Sequence, residues 1–515
     1  MKRLFIYFFM LLTLLCPQVS QAGYKDLVDE FNAYTPPDYI VSQKYPPEKA
    51  QEATKSQPTS FEKELKRIKI MSVDWRKALS TADGKRPLFF TPNAALLKRY
   101  YGAASDSTIA SNEIRGSFDL TTLETLAWIR NPAIKSAENK FSAAVESFSQ
   151  VANLDEILHQ YSAFTASIKT GVGPKKGQDP IKTKFPFPGM VSLKGQIVQQ
   201  QTEAAWQSLE MVRRDVITTI RKTYWDLVFN RKAQKIEANT LNLFEDLKAV
   251  ATRRYEAGKT SFQDVVKIQV KTKVLQEDLI TLKEKQRNIE SKLIALLNIS
   301  PARTIGYPAT VGTEKKMPQI ERLYPVAKSR RQEILIKQAQ LKKMQNVLEM
   351  AETMVLPSYT LNYSAFDSQA INDVGSSAKS PSFQTSLSAS RGAGIPQNVW
   401  YGTNDAYVRE IRKQVAALKE SLAETKAETV NQVRDRWFEL DRARREKKLY
   451  QDTVVSLSKS ALDVSTSGYE SGNVSFADVI NSYELWLSSN LILEKKRSEF
   501  FIAWARLEQA IGVQF

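Results

Sequence analysis

The sequence predicts a mainly α-helical fold with a small β-strand component, built from a unit that occurs twice. Residues 189–300 and 397–515 contain no proline, so both stretches are predicted to form very long helices. Each stretch is interrupted once near a glycine, at Tyr255–Gly258 and at Tyr469–Gly472. A segment of strand-like alternation precedes each long helix, which completes the predicted unit.

The duplication is visible as matching residues at a constant spacing. Beyond the two interruptions, Phe262, Asp264 and Val265 recur 214 positions later, as Phe476, Asp478 and Val479. Upstream of the interruptions the match continues with a slip of one residue, with Tyr224-Trp225-Asp226-Leu227 against Trp437-Phe438-Glu439-Leu440. The copies are not equivalent everywhere, because Val270 corresponds to Glu484.

The helix after the first interruption carries an apolar seam with alternating steps of three and four residues. Such spacing is typical of coiled coils. The seam consists of Val265, Ile268, Thr272, Leu275, Leu279, Leu282, Gln286, Ile289, Leu293 and Leu296. The same seam in the second copy is less apolar, so we expect a sheet of neighbouring helices rather than an isolated two-stranded coil.

Four strands are predicted from alternating apolar and polar residues, at 163–172, 190–198, 359–366 and 383–390. The pattern alone favours a half-buried soluble sheet, but the lengths also suit tilted strands of a membrane barrel. Four strands cannot close such a barrel, and open edges are not tolerated in lipid. A membrane barrel would therefore need three copies, which supply twelve strands.

The first 22 residues are predicted to be a signal peptide. Lys2 and Arg3 precede an apolar run from Leu4 to Leu15, and small residues follow at cleavage spacing. The run is too short to span a bilayer. A lipid-modified amino terminus at Cys16 is the alternative, although Leu14 and Leu15 stand where that processing requires small residues.

Composition argues against an enzyme or a metalloprotein. Cys16 is the only cysteine and His159 the only histidine, and no Cys, His, Asp and Glu cluster has metal-ligand spacing. No nucleophile elbow or phosphate-binding glycine loop occurs, so neither a cofactor nor catalysis is expected. The net charge of +17 suits anionic partners, and export makes lipid head groups or an envelope protein better candidates than nucleic acid.

Residues 23–118 are predicted to be an irregular amino-terminal extension, because seven prolines interrupt any periodicity. A short basic helix is expected near 61–79. The two repeats then occupy 119–314 and 315–515. No apolar run in the mature sequence reaches 18 residues, so no transmembrane helix is predicted.

Residues 119–515 resemble the TolC family of outer-membrane efflux proteins. The resemblance depends on Asn131-Pro132 opening the first helix, the duplicated Tyr-Glu-x-Gly turn followed by Ser-Phe-x-Asp-Val, the strand pairs, and Leu507 to Gly512. It implies a homotrimer with a twelve-stranded outer-membrane β-barrel, continued by a periplasmic α-helical barrel of a Gram-negative bacterium. It also implies a passive conduit that meets a periplasmic adaptor and, through it, an inner-membrane transporter.

The resemblance assigns roles to residues around the two turns. Asp478 matches an acidic pore-constriction position, with Asn481 one turn further, and Asp264 and Tyr469 match positions that link helices in the closed state. Val474 stands where the family can have a basic partner, which argues against a salt-bridged latch. The alternative for both aspartates is a role at the helix start, where a carboxylate suits the helix dipole. The candidate adaptor contacts are Gly258, Lys259, Thr260, Gly472, Asn473 and Val474.

A run of lysines between the first two predicted strands forms a further candidate site. In the family topology this loop faces outward, where it would meet lipopolysaccharide phosphates, although a solvated loop also explains such a run. Its members are Lys169, Lys175, Lys176, Lys182 and Lys184.

Two other functions remain open at the level of sequence. The first is the outer-membrane duct of a type I protein secretion system, which uses the same fold. The second is a soluble periplasmic coiled-coil adaptor or scaffold, in which the strands would form a soluble domain.

Overall fold

The computed structural model describes residues 60–80, 86, 88–149, 151, 181–184, 190–258, 260–300, 305–309, 316–354, 360–366, 384–390 and 397–515. Among them, no helix is both long enough and apolar enough to cross a membrane. The described chain is mostly helical, as the sequence predicts.

In the described part of the amino-terminal extension, three α-helices precede the first repeat. These are α1 (Ser60–Ser80), α2 (Ala94–Arg99) and α3 (Ser107–Glu113), followed by strand β1 (Ser117–Phe118). The repeat itself contains α4 (Leu120–Arg130), α5 (132–149), β2 (Ile181–Lys184), α6 (Met190–Glu256), α7 (Phe262–Leu297) and β3 (Tyr307–Pro308). Helix α6 has 67 residues, which corresponds to about 100 Å.

The second repeat likewise begins with two helices, continues with strands and ends with long helices. It contains α8 (Ile320–Arg330), α9 (Gln332–Met354), β4 (Thr360–Phe366), β5 (Gln384–Ser390), α10 (Gln397–Leu449), a π turn (Tyr450–Val454), α11 (Val455–Glu470) and α12 (Phe476–Ile511). Helices α7 and α12 each have 36 residues, about 54 Å.

The π turn accounts for the one-residue slip between the repeats. A π turn closes its hydrogen bond one residue later than an α-helical turn and therefore accommodates one extra residue. It lies between Leu440, which is offset from Leu227 by 213 positions, and Tyr469, which is offset from Tyr255 by 214. Leu227 and Leu440 are both fully buried. The insertion is thus absorbed without turning the buried face of the helix away from its neighbours.

In both repeats, the first two helices meet at a junction whose side chains donate hydrogen bonds to carbonyls at the carboxy-terminal end of the last long helix, α7 or α12. Arg130 donates to the carbonyls of Leu297 and Asn298, and the Asn131 side chain donates to Leu296 O. In the second repeat, the Gln332 side chain donates to Gly512 O. These contacts give Asn131-Pro132 a physical role, since carbonyls at a helix end need partners.

The second predicted strand of the first repeat is wrong. Residues 190–198 form the start of α6 rather than a strand. The apolar residues Met190, Leu193 and Ile197 also follow helical spacing, so the short alternation was ambiguous. The strand of this region is β2, which contains Lys182 and Lys184 of the predicted lysine loop. The predicted strand 163–172 lies outside the described residues.

The three longer strands form one antiparallel sheet in the order β2-β4-β5. Ile181 pairs with Tyr363, and Tyr363 pairs with Leu387. The sheet therefore joins strands from both repeats, and β4 and β5 lie within the ranges 359–366 and 383–390.

Apart from the basic helix expected near 61–79, which is α1, the prediction of irregular structure for 23–118 is wrong at α2 and α3. Pro92 lies between α1 and α2, and side chains cap the starts of the next two helices: Asn93 caps α2 and Asp106 caps α3. Helix α1 covers the predicted 61–79. It is anchored by Trp75, whose ring contacts those of Phe141 and Trp206 at centroid distances of 5.9 and 6.4 Å.

The chain divides into two compact units. One includes the described parts of 1–70, 149–197 and 344–414, among them the three-stranded sheet. The other comprises Met71–Phe148, Val198–Lys343 and Val415–Phe515, and it contains the buried hydrophobic clusters, the helix-end contacts and both turns. The candidate functional residues around the turns all belong to this second unit.

Candidate functional site

Each pair of long helices ends in a tight turn, called here the first tip (255–262) and the second tip (469–476). Gly258 and Gly472 have positive φ angles of 69° and 81°, in the left-handed region that favours glycine. The N–H groups of Gly258 and Gly472 donate to Tyr255 O and Tyr469 O, at 2.9 and 3.2 Å. The Tyr-Glu-x-Gly sequence thus ends each helix and reverses the chain.

The two aspartates predicted to be functional both take part in starting the next helix. Ser475 caps α12: its Oγ accepts from Asp478 N at 3.2 Å and donates to the Asp478 carboxylate at 2.7 Å. In the first tip, the Thr260 hydroxyl donates to the Asp264 carboxylate at 2.7 Å. The helix-start role is therefore present at both positions. Asp478 and Asn481 are also exposed and lie one turn apart on α12.

Each tip contains a pair of aromatic rings at equivalent positions, but the two pairs differ in burial. Tyr255 and Phe262 are 5.5 Å apart and largely exposed, with Phe262 60% accessible. Tyr469 and Phe476 are 5.3 Å apart, and Phe476 is buried. Sequence reasoning missed this difference, since the residue types are the same in both copies. The first tip presents an apolar surface that the second tip lacks.

A hydrophobic cluster joins the two tips within the second unit. It is called here the tip cluster and consists of Phe244, Ala251, Val265, Ile268, Leu275, Phe476, Ile480 and Leu487. Because it includes the first turns of both α7 and α12, the two tips lie at the same level. Val265, Ile268 and Leu275 are predicted seam residues, so the seam packs against the second repeat as well as against α6.

Two polar contacts also join the repeats near the tips. The Arg254 guanidinium lies over the Tyr469 ring at 4.2 Å, a cation–π distance. Lys271 forms an ion pair with Glu484 at 2.6 Å. Glu484 occupies the position that corresponds to Val270 in the first repeat. This difference between the repeats therefore gives Glu484 a partner on the first repeat. Neither contact could be predicted from the sequence, because both depend on how the hairpins pack.

Among the described residues, Tyr469 and Asp264 are not hydrogen-bonded to each other. The Tyr469 hydroxyl is buried without a hydrogen-bond partner in the described part of the chain, while Asp264 accepts from Thr260. Val474 packs closely on Gly468, where an added Cβ would come within 2.4 Å of its side chain. Val474 is therefore part of the turn packing, whereas Gly258, Gly472 and Asn473 are exposed and Thr260 is half-buried.

Several predicted contacts fall outside what the structure describes. Lys259 is one of them, as are Lys169, Lys175 and Lys176 of the lysine run. Lys182 and Lys184 belong to strand β2, but their side chains are not described. In the described ranges, no group of three or more His, Cys, Asp and Glu side chains is placed to hold a metal ion.

The carboxy-terminal repeat matches a known protein family. Residues 323–513 match the family model described as Outer membrane efflux protein. Comparison with curated proteins gives no match.

The fold is similar to solved outer-membrane channels. The outer-membrane channel OprN superimposes with a TM-score of 0.61 at 14% identity, over 84% of this chain and 96% of that chain. The outer membrane protein VceC from the bacterial pathogen Vibrio cholerae gives 0.57 at 15% identity, over 82% and 100%. The open state of the Neisseria gonorrhoeae MtrE outer membrane channel gives 0.55 at 14% identity, over 76% and 89%. Together with the family match, these findings confirm the resemblance to the TolC family.

Proposed function

We propose that this chain is the outer-membrane channel subunit of a tripartite efflux system. It acts as a passive conduit that leads from a periplasmic adaptor and an inner-membrane pump to the exterior. The observation that carries the proposal is the duplicated unit of short helix pair, strands and long hairpin, together with the efflux family match over 323–513. The channels with this fold are matched over most of their own length, which supports a role for the whole unit.

The functional assembly is a homotrimer in the outer membrane, with a large periplasmic portion. Each copy supplies four strands to a twelve-stranded barrel, and the long helices continue it as an α-helical barrel. Sheet β2-β4-β5 supports this arrangement, because it joins strands of both repeats in antiparallel register.

The tips are the periplasmic end that meets the adaptor. The contact residues are Gly258, Lys259, Thr260, Gly472, Asn473 and Val474. To these we add the exposed ring pair Tyr255 and Phe262, because exposed aromatic residues are typical anchors of protein interfaces. The first tip is then the principal contact and the second tip, whose rings are turned inward, the lesser one.

Asp478 and Asn481 line the constriction of the conduit. Their exposure and their spacing of one helical turn on α12 support this role. Three copies of Asp478 around one axis would form a ring of negative charge that attracts cations. In the closed state, Asp264 and Tyr469 link neighbouring helices, and Arg254 contributes through its contact with the Tyr469 ring.

The test is single-channel conductance of the purified protein in planar bilayers. We expect a small, cation-selective conductance, and we expect Asp478→Ala to raise the conductance or lower its selectivity. Asp246→Ala serves as the control, because it removes an exposed carboxylate of α6 to which no role in the constriction or the closed state is assigned. Absence of any conductance, with the protein in the soluble periplasmic fraction, would contradict the channel.

A further inference from the structure

Helix α7 has an apolar stripe that no other described part of the chain covers. Val266, Val270, Val274 and Ile280 are between 40% and 54% exposed, on the side of the helix opposite the buried seam. Lys273, Glu277 and Glu284 lie on the same side and are also exposed. These seven residues are called here the α7 face.

A second exposed stripe runs along α10 and α11. Phe438, Leu449, Leu457 and Val464 are between 52% and 71% exposed, and Arg445 lies among them with a side chain that is 60% exposed. Leu457 and Val464 are seven residues apart, which is two helical turns. The π turn adds one residue between Leu449 and Leu457, so the members on both sides of it share one side of the helix. These five residues are called here the α10–α11 face.

Members of the two faces lie at matching distances from the tips, measured along the helix axes and called here their heights. Val266 lies eight residues after Gly258, and Val464 lies eight residues before Gly472. Ile280 lies 22 residues from Gly258, and Leu449 lies 23 residues from Gly472. Glu284 and Arg445 lie 26 and 27 residues from the same glycines. In both pairs the second count is larger by one because the π turn adds one residue to α10–α11. Because the tip cluster holds both tips at one level, equal counts correspond to equal heights.

We propose that the α7 face of one copy packs against the α10–α11 face of the next copy, with Val266 opposite Val464, Ile280 opposite Leu449, and Glu284 paired with Arg445. The inference rests on the proposed function, since it names the surface through which the channel subunits assemble. Rotation about an axis parallel to the helices preserves height, so residues at equal heights meet. Such a contact uses two different faces and closes into a ring.

Charge favours this pairing over contacts between identical faces. If two α7 faces met, Glu284 would approach its own copy, whereas Lys273 lies one turn from Glu277 and offsets its charge. Two α10–α11 faces would bring Arg445 against Arg445. Arg445 donates to Asp441 at 2.9 Å, and the five N–H donors of a guanidinium allow a second carboxylate to be bound. One turn beyond Glu284, Arg287 of α7 lies at the same height as Arg442 of α10, so two positive charges would meet there. The favourable contact therefore extends from Val266 to Glu284, about 27 Å.

The first test is disulfide cross-linking, which needs no background substitutions because Cys16, in the predicted signal peptide, is the only cysteine. Val266→Cys combined with Val464→Cys is oxidised in membranes and analysed on non-reducing gels. We expect covalent dimers and trimers, at least tenfold more abundant than in the mismatched control Val266→Cys with Leu449→Cys. In that control the cysteines differ in height by about 21 Å, far beyond disulfide reach.

Charge exchange is the second test and does not depend on oxidation. We expect Glu284→Arg to reduce the trimer fraction in native mass measurements, and the double variant Glu284→Arg with Arg445→Glu to restore it. The assignment of faces would be wrong if the trimer conducted but cross-linked only in the mismatched control, Val266→Cys with Leu449→Cys, or through Val266→Cys alone. The proposed function would then remain intact. A monomer without conductance would overturn both.

Discussion

At the scale of single residues, Glu237 is a carboxylate that folding makes harder to ionise. It is buried on α6, and its Oε2 has no hydrogen-bond partner among the described residues. Burial raises the pKa of Glu237 to about 6, with a further rise from Asp278 on α7 and an opposing effect of Lys285. The folded state therefore holds this proton more tightly than the unfolded chain does, and the corresponding stability is lost as pH rises through 6.

We expect Glu237→Gln to stabilise the protein above pH 6 by about 2 kcal/mol, and to have little effect near pH 4, where the wild-type carboxyl is protonated. Thermal unfolding followed at pH 4, 5, 6, 7 and 8 measures the difference. Asp246→Asn, at an exposed position of the same helix, is the control and should show no such trend. A stabilisation independent of pH would contradict the explanation.

Glu333 behaves in the opposite way. Burial opposes its ionisation, but hydrogen bonds from Arg214 and Arg331 outweigh this effect and lower the pKa of Glu333 to about 2. Because the folded-state pKa lies below the unfolded value of about 4.5, the stability from this group is present above pH 4.5. It is lost as pH falls toward 2.

The expected cost of Glu333→Gln is about 3 kcal/mol at neutral pH, since it leaves the buried Arg214 without its bidentate partner. Chemical denaturation at pH 7 and pH 3 measures the change, which should be smaller at pH 3. Glu321→Gln, at an exposed position of α8, serves as the control. An equal loss at both pH values would show that packing, rather than charge, accounts for the effect.

At the scale of elements, the π turn shows how far the sequence can predict the structure. The one-residue slip between the repeats is visible from the sequence alone, but its position within a continuous helix is not. The misassigned strand at 190–198 has a similar origin, because short apolar alternation fits both a strand and a helix until Leu193 is seen to be buried in α6. The duplicated turns were predictable, since their glycines, serines and aromatic residues act locally. The Arg254–Tyr469 and Lys271–Glu484 contacts were not, since they join residues more than 200 positions apart.

The π turn predicts that the chain tolerates a one-residue deletion there but not in α6, the corresponding helix of the first repeat, which has no π turn. Removing the exposed Gln451 should convert the π turn into an α-helical turn and leave Leu440 and Leu462 facing their present neighbours. Removing the exposed Asp246 from α6, which is α-helical throughout, should instead rotate the buried Phe244 and Ala251 by about 100° relative to each other. We expect the first deletion to change the melting temperature by only a few degrees and the second to abolish folding. Similar damage from both deletions would contradict this account.

At the scale of the whole molecule, the amino-terminal extension is the segment for which the prediction from sequence differs most from the structure. Its prolines predict irregular structure, and the described segment between α1 and α2 is indeed not helical, yet it packs on the first repeat in several places. The Phe89 N–H donates to the buried Glu210 carboxylate at 3.1 Å, and the Phe90 ring lies 5.9 Å from that of Trp128. Arg213, which also bonds Glu210, lies over the Trp128 ring at 4.1 Å. The extension therefore covers polar groups of the repeat that would otherwise need other partners.

Trp75 provides the sharpest test of this structural role. It is buried between Phe141 of α5 and Trp206 of α6, with the Arg86 guanidinium 3.9 Å from the centre of its ring. Removing the ring leaves a cavity among aromatic neighbours, so we expect Trp75→Ala to lower the free energy of unfolding by about 3–5 kcal/mol. Val73→Ala, on the exposed side of the same helix, should cost less than about 0.5 kcal/mol. Denaturant unfolding, combined with limited proteolysis of 60–118, separates the two variants. If Trp75→Ala leaves both the stability and the protease resistance of α1 unchanged, the extension is not part of the folded unit, and the repeats fold without it.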